Sequence, residues 1–333
     1  MAEVMLAIDF GGSYTKIFRK DFGLVLKEAT LIGAVKNQDG YDVKYLGDQA
    51  KQIQGKTNEQ TIVFSPVSEG QIKAPEYATV LLKHFLKKVV PNTNIFTKIK
   101  CLAVYPTGLD EKSRQVYKQV FESAGIKEVT LLPKCLCSAY GTNNNIFASS
   151  SCMVIDFGGV SVDVGVINMG SVISGATLGV GGKSIDNQIV KLVNLKYGVE
   201  IGMSSAQKIK EEIASLFSND TANLEITGMD FKTKTPTSVV VYASDIRECI
   251  IPLLDEAVKI SQTILNSLSP EISADIIKNG VFIAGEMSNI VGLERYLRKQ
   301  LNLPIKIVEE SPKACILGAG KLLSQTNLIK KLL

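Results

Sequence analysis

Two short segments carry the same pattern of chemistry-bearing residues. Met5, Leu6, Ala7 and Ile8 run into Asp9, Phe10, Gly11, Gly12 and Ser13, and Cys152, Met153, Val154 and Ile155 run into Asp156, Phe157, Gly158, Gly159, Val160 and Ser161. Each apolar run reads as a buried strand and each Asp-x-Gly-Gly as a tight turn. Apolar residues resume beyond both turns, at Ile17 and Phe18 and at Val162, Val164, Val166 and Ile167. Such a turn offers several backbone N–H groups in a small concavity, and glycine lets the backbone come close to a ligand. It is a nest for phosphate oxygens. An aspartate at the strand end repels a phosphate but can hold Mg²⁺ through water. One such turn alone is most often a plain hairpin. Two, half a chain apart, would clamp a nucleoside polyphosphate between them.

Three further glycine elements fit that chemistry. Gly179, Val180, Gly181, Gly182, Lys183 and Ser184 approach a P-loop, but Thr177 stands where its first glycine belongs. The P-loop reading is therefore rejected, and a Gly-rich turn at a helix N-terminus remains, suited to phosphate. Val281 to Ala284 lead into Gly285, Glu286 and Met287, a strand ending in a turn against which a base or ribose could lie. Gly318, Ala319 and Gly320 sit in a helical pattern, where small residues allow close helix packing.

These loops need strands and helices to hold them. Helical periodicity is read at 79–90, 109–125, 205–217, 246–268, 291–301 and 312–323, and strands at 131–132, 239–242, 281–284 and 305–308. The polar stretch 219–237 reads as loop and hairpin. The chain has 333 residues, above the ~250–300 at which one core stops growing, so two core-bearing units are expected. No low-complexity linker divides them. No run of ~18 uncharged apolar residues suggests a spanning helix, and the acidic start at Glu3 argues against secretion. The six cysteines include no CxxC pair and His84 is the one histidine. That disfavours a Cys/His zinc site and His-based catalysis, and it reads as a reduced, cytoplasmic chain. Net charge is +4, and only five of the 37 basic residues are arginine. Bidentate base and phosphate readout favours arginine, so no nucleic-acid partner is expected.

The order of two Asp-Gly hairpins, a Gly-Gly connector and a strand–Gly–helix element resembles the actin-like ATPase superfamily. Within it the chain is similar to the MreB family of bacterial actins. The resemblance runs through Leu46 to Gln52, Leu178 to Gly182, Ala206 to Ile213, 279–301, Leu303 to Ile305, and Cys315 to Lys321, and covers nearly the whole chain. It implies an α/β actin-like fold: two facing domains of duplicated topology, each with a smaller inserted subdomain, and a nucleotide cleft between. Domain I would be 1–143, with a subdomain inserted at about 31–75 and residues 318–333 returning to it. Domain II would be 144–317, with an insertion at about 184–261.

The resemblance also assigns residues. Asp9, Gly11, Gly12 and Ser13 match the first phosphate loop, and Asp156, Gly158, Gly159 and Ser161 the second. Gly181 and Gly182 match the connector, Lys210 and Glu212 the ribose-facing helix, and Gly285, Glu286 and Met287 the adenosine turn. ATP or ADP with Mg²⁺ is the implied cofactor, the metal held by Asp9 and Asp156 through water. Glu286 and Met287 depart from the family's run of glycines. Lys16 lies where actin has a phosphate-contacting lysine, and reads equally as an exposed strand lysine. The largest departure is Lys134, which stands where relatives carry the glutamate that activates the attacking water. An ammonium has three donors and no acceptor, so it cannot take that proton. Ser161 replaces the water-holding threonine and keeps a hydroxyl. The expectation is a divergent, hydrolysis-impaired relative, such as those of wall-less helical bacteria. A nearby acid could restore the lost base.

The resemblance further implies filaments, by analogy antiparallel pairs, possible paralogous actin-like partners, and a role in shape or motility. Ile95 and Phe96 end a loop at 91–96 amid Lys83, Lys87, Lys88, Lys98 and Lys100, an apolar tip with a basic collar suited to an anionic membrane surface. The location implied is peripheral, at the inner face of the cell membrane. A plasmid-segregating actin of the ParM type and a small-molecule kinase of the same superfold are the alternatives.

Overall fold

In the computed structural model, which describes residues 3–38, 40–91, 97–142 and 148–325, both Asp-Gly-Gly turns close antiparallel hairpins. The chain runs β1 (Glu3–Phe10), β2 (Tyr14–Arg19), β3 (Gly23–Ala29), β4 (Ile32–Lys36), β5 (Tyr41–Leu46), α1 (Asp48–Ile53), β6 (Thr61–Phe64), β7 (Val67–Ser68), β8 (Gln71–Ile72), α2 (Pro75–Val89), β9 (Lys98–Tyr105), α3 (Glu111–Ser123), β10 (Glu128–Pro133) and α4 (Lys134–Gly141). It continues with β11 (Cys152–Phe157), β12 (Val162–Asn168), β13 (Ser171–Leu178), α5 (Gly182–Tyr197), β14 (Val199–Glu200), α6 (Met203–Ile213), β15 (Asn223–Asp230), β16 (Pro236–Tyr242), α7 (Ala243–Asn266), α8 (Pro270–Asn279), β17 (Val281–Ala284), α9 (Leu293–Leu301), β18 (Ile305–Ile307) and α10 (Ala314–Leu323).

Two five-stranded sheets repeat one topology. The first has the order β10-β9-β1-β2-β3 and the second β18-β17-β11-β12-β13. In both, the central strand pairs antiparallel with its hairpin partner and parallel with its other neighbour. Strands covered on both faces read as continuous apolar runs, which is why Leu6, Ala7, Ile8, Val154 and Ile155 are all fully buried. Small sheets β5-β4-β6 and β14-β15-β16 lie within the β3–β9 and β13–β17 connections.

Each large sheet has its own core. Leu81, Leu82, Phe85 and Phe121 of α2 and α3 cover the first, and Ile185, Ile189, Ile250 and Leu254 of α5 and α7 the second. A third cluster joins them, with Leu136 and Ile316 of α4 and α10 between Leu102 and Val154. The two helices touch so closely that a Cβ on Gly318 would lie 1.9 Å from the Cys137 carbonyl oxygen, which accounts for the small residues there.

Several boundaries differ from the periodic reading. The apolar face at 205–217 continues past the helix, but α6 stops at Ile213 because Ala214 turns extended and Ser215 bridges to Val291. α9 begins at Leu293 because Gly292 is left-handed. The segment at 219–237 contains all of β15 as well as its turn. The expected division at 143/144 and the pair Ile95 and Phe96 lie outside the described residues. Among the described residues no helix is long and apolar enough to cross a membrane.

Candidate functional site

The first Gly loop joins β1 to β2 and the second joins β11 to β12, so the repeated topology brings them face to face. They are in contact. A Cβ on Gly159 would lie 2.1 Å from Ser13 Oγ, and one on Gly12 would lie 2.5 Å from Val160 Cγ2. Only glycine permits that approach. The N-terminus of α5 is tied to the second loop: Gly182 N–H donates to the Gly158 carbonyl at 3.1 Å and Lys183 N–H to that of Gly159 at 2.8 Å. Gly181 and Gly182 are therefore held against the second loop.

Two adjoining cavities share Ser13, Tyr14, Gly159, Glu286 and Pro312. The inner one, about 60 Å³, is walled by Asp9, Gly11, Gly12, Lys16, Lys134, Asp156, Gly158 and Ser161. The outer one, about 390 Å³, is walled by Lys27, Lys51, Lys183, Lys210, Glu212 and Met287 among others. Apart from Gly181, the residues that the resemblance assigned to a nucleotide line this cleft, the two loops along the inner cavity and Lys210, Glu212 and Met287 along the outer one. Gly285 supports the turn by lining the inner end.

Strand register sets the charges of the inner cavity. Asp9 faces Lys16 across β1 and β2, and Asp156 faces Asp163 across β11 and β12. Lys134 opens α4 after the Pro133 cap and reaches into this wall. Its Nζ lies 3.0 Å from Asp156 Oδ1 and 3.6 Å from Asp163 Oδ2. One turn along, Ser138 Oγ donates to Asp156 Oδ2 at 2.7 Å. Asp163 also accepts from the Thr107 N–H at 2.7 Å, Thr177 Oγ1 at 2.7 Å and Ser161 Oγ at 3.1 Å. Burial disfavours the Lys134 charge, but Asp156, Asp163 and Asp9 together outweigh it and hold the ammonium well above its ordinary value. Burial raises Asp9 against the pull of Lys16 and Lys134.

Among the described residues, the side of this wall around Lys134 offers no free base. Lys134 is a cation, and Asp163, the acid that could have compensated, has its oxygens committed to three hydrogen-bond donors and the Lys134 ammonium. Ser161 spends its proton on Asp163. Among the described residues no cluster of three or more His, Cys, Asp or Glu side chains forms a metal site. Asp9 and Asp156 are the carboxylates expected to face Mg²⁺ through water, yet Asp156 already holds an ammonium. With an ammonium on Asp156, the pair does not offer two free carboxylates to a metal ion.

Lys16 is buried, not an exposed strand residue. Its Nζ donates to the Pro312 carbonyl at 3.0 Å and lies 3.4 Å from Glu286 Oε1. Lys27 approaches the same oxygen at 3.2 Å. Burial opposes the Glu286 charge, but these two lysines hold its carboxyl below the usual range. Glu286, on the turn after β17, thus links the second half of the chain to the first. Lys210 donates to the Gly182 carbonyl at 3.0 Å and pairs with Asp186 at 2.6 Å, while Glu212 lies at the outer rim beside Lys208.

The sequence reading missed Asp163, Asp186, Lys27 and Lys183. Asp163 was signalled by an acid inside the apolar run 162–167, and Lys183 by its place after the paired glycines. Lys183 Nζ crosses the cleft to donate to the Gly12 carbonyl at 2.8 Å, and burial pushes it down to about 8. The basic collar near Ile95 and Phe96 is less positive than the sequence suggests. Lys88 pairs with Glu28, Lys98 with Glu128, and Lys100 with Glu3 and Glu128, acids remote in sequence.

Comparison with known proteins gives a consistent picture. The family described as MreB/Mbl protein matches residues 3–331. The cell shape-determining protein Mbl of Bacillus subtilis (strain 168) is 29% identical over 328 residues, 98% of this chain and 97% of that protein. The crystal structure of MreB5 of Spiroplasma citri bound to AMPPNP superposes with a TM-score of 0.90 at 25% identity, covering 99% of this chain and 98% of that one. The MamK double helical filament superposes at 0.80, with 17% identity over 97% and 99% of the two chains. The fold is actin-like.

Proposed function

The chain belongs to the MreB/Mbl family, and from that premise we propose that this bacterial actin-like cytoskeletal protein binds ATP in the cleft, polymerises, and hydrolyses the nucleotide slowly. The observation that carries the slow step is the Lys134–Asp156 contact of 3.0 Å. It supports a reading in which a fixed cation stands at the position where the resemblance expects the water-activating glutamate. Losing a general base costs about 10²–10⁴-fold in rate.

Binding is supported by the two glycine loops in contact and by the cavity beside them. The loops would hold the phosphates, Lys210 and Glu212 the ribose side, and Glu286 and Met287 the base side. The nucleotide supplies the energy-bearing anhydride, and the chain's own groups orient it and exclude water. AMPPNP and ADP are bound by MreB5, which supports the same class of ligand here.

Filaments for shape or motility, in antiparallel pairs or with paralogous chains, are part of the proposal, as is a peripheral position on the inner face of the membrane. The filament formed by MamK and the family name support self-association. Light scattering against protein concentration, with and without ATP, tests it. A rise above a critical concentration on adding ATP is expected, whereas a flat response would favour a kinase of the same fold.

A further inference from the structure

We propose that Lys134 is a built-in counter-cation of the nucleotide site, which lets this chain hold a nucleoside triphosphate with little dependence on a divalent metal ion. The inference rests on the reading of the cleft as a nucleotide site and names the cation that works in it.

The inner wall presents Asp9 and Asp156, with Asp163 fully buried behind them. A polyphosphate brought against two carboxylates with a third behind them is repelled, and in a poorly hydrated site the repulsion is strong. A divalent ion between carboxylate and phosphate ordinarily relieves it. Here an ammonium is already in place. Lys134 Nζ bridges Asp156 and Asp163 at 3.0 Å and 3.6 Å. It also sits 3.0 Å from where a Cβ on Gly158 would project, against the second phosphate loop. A lysine has three N–H donors. Asp156 lies within hydrogen-bond distance and Asp163 only at ion-pair distance, so N–H donors remain for an anionic oxygen.

The opposite side of the same cavity carries Lys16, fixed by the Pro312 carbonyl and Glu286. Each phosphate loop is thus backed by one ammonium. Both are held by partners before any ligand arrives, so neither must be reorganised on binding. A metal ion reaching Asp156 would have to displace Lys134 or stand beside it against like-charge repulsion. Either way, the affinity gained from the metal shrinks.

Isothermal titration of the full chain with AMPPNP, in Mg²⁺ and in EDTA, tests this. Wild-type affinity should change by less than about threefold on chelation. Lys134→Gln should lose more than about tenfold in EDTA and recover in Mg²⁺, because the metal again becomes the screen beside Asp156. Lys134→Arg should keep the wild-type insensitivity. The wild-type ratio decides the matter even if Lys134→Gln folds poorly. A wild-type loss above about tenfold on chelation, with good binding in Mg²⁺, would overturn the inference and leave the nucleotide site standing. No binding in either condition would overturn the nucleotide site itself.

Discussion

Lys16 and Asp163 stand at the same step of two copies of one hairpin. Lys16 faces Asp9 across β1 and β2, and Asp163 faces Asp156 across β11 and β12. The first copy balances its strand-end aspartate with a cation. The second doubles the negative charge, and Lys134 from α4 offsets one of the two. The cleft is thus built from a repeated backbone with unlike charges, and Lys134 is required by the second copy.

Removing Asp163 should therefore be costly. Asp163→Ala leaves the Thr107 N–H, Thr177 and Ser161 without their acceptor and strips Lys134 of one partner. Breaking a buried charged network in this way costs about 3–5 kcal/mol. Asp163→Asn, which keeps an acceptor, should cost less. Urea unfolding measures both, and a loss for Asp163→Ala within about 0.5 kcal/mol, as for a surface site, would refute the network.

The Lys183 contact to Gly12 has a pH signature. Its ammonium is pushed from an ordinary 10.5 to about 8, mainly by burial and with help from Lys210 and Lys51, against the pull of Asp186. Below about pH 8 both folded and unfolded chains hold the proton, and the full cost of burying the charge is present. Between about 8 and 10.5 the folded chain releases it first, so stability rises with pH. Relative to Lys183→Met, wild type should gain up to about 3 kcal/mol across that window. A pH-independent difference between the two would show that Lys183 titrates normally.

The contact between the phosphate loops predicts a rescue. Gly159→Ala drives a methyl into Ser13 Oγ and Cβ, an overpacking that costs about 1–3 kcal/mol. Ser13→Gly removes those atoms. The double variant should recover most of the loss, giving a coupling above about 1 kcal/mol in a double-mutant cycle. Additive losses would mean that the loops do not touch in solution.

How much of this was legible in the sequence follows from what each residue needs. The strands ending in Asp9 and Asp156 are legible because burial on both faces makes the whole run apolar. β17 coincides with the expected 281–284 because Gly285 closes it. The end of α6 is not legible, since Leu216 and Phe217 continue the apolar face after the backbone has turned away. Lys134 stands out as a departure only through the family resemblance. Its partners do not, because Asp156 and Asp163 come from other elements and only strand register brings them together. The same holds for Glu286, whose lysines lie more than 250 residues earlier.

The membrane proposal rests on Ile95 and Phe96, since three of the five nearby lysines are already ion-paired. Ile95→Glu with Phe96→Glu should abolish cosedimentation with anionic liposomes, and raised salt should weaken wild-type binding only modestly. Unchanged binding by the double variant would reject the loop as the contact.

Phosphate release from the assembled protein, compared with that of Lys134→Glu, tests the central claim most directly. The account predicts wild-type release about 10²–10⁴-fold below that of a relative carrying the acid, with Lys134→Glu moving toward it. Wild-type turnover at the rate of such a relative would contradict it.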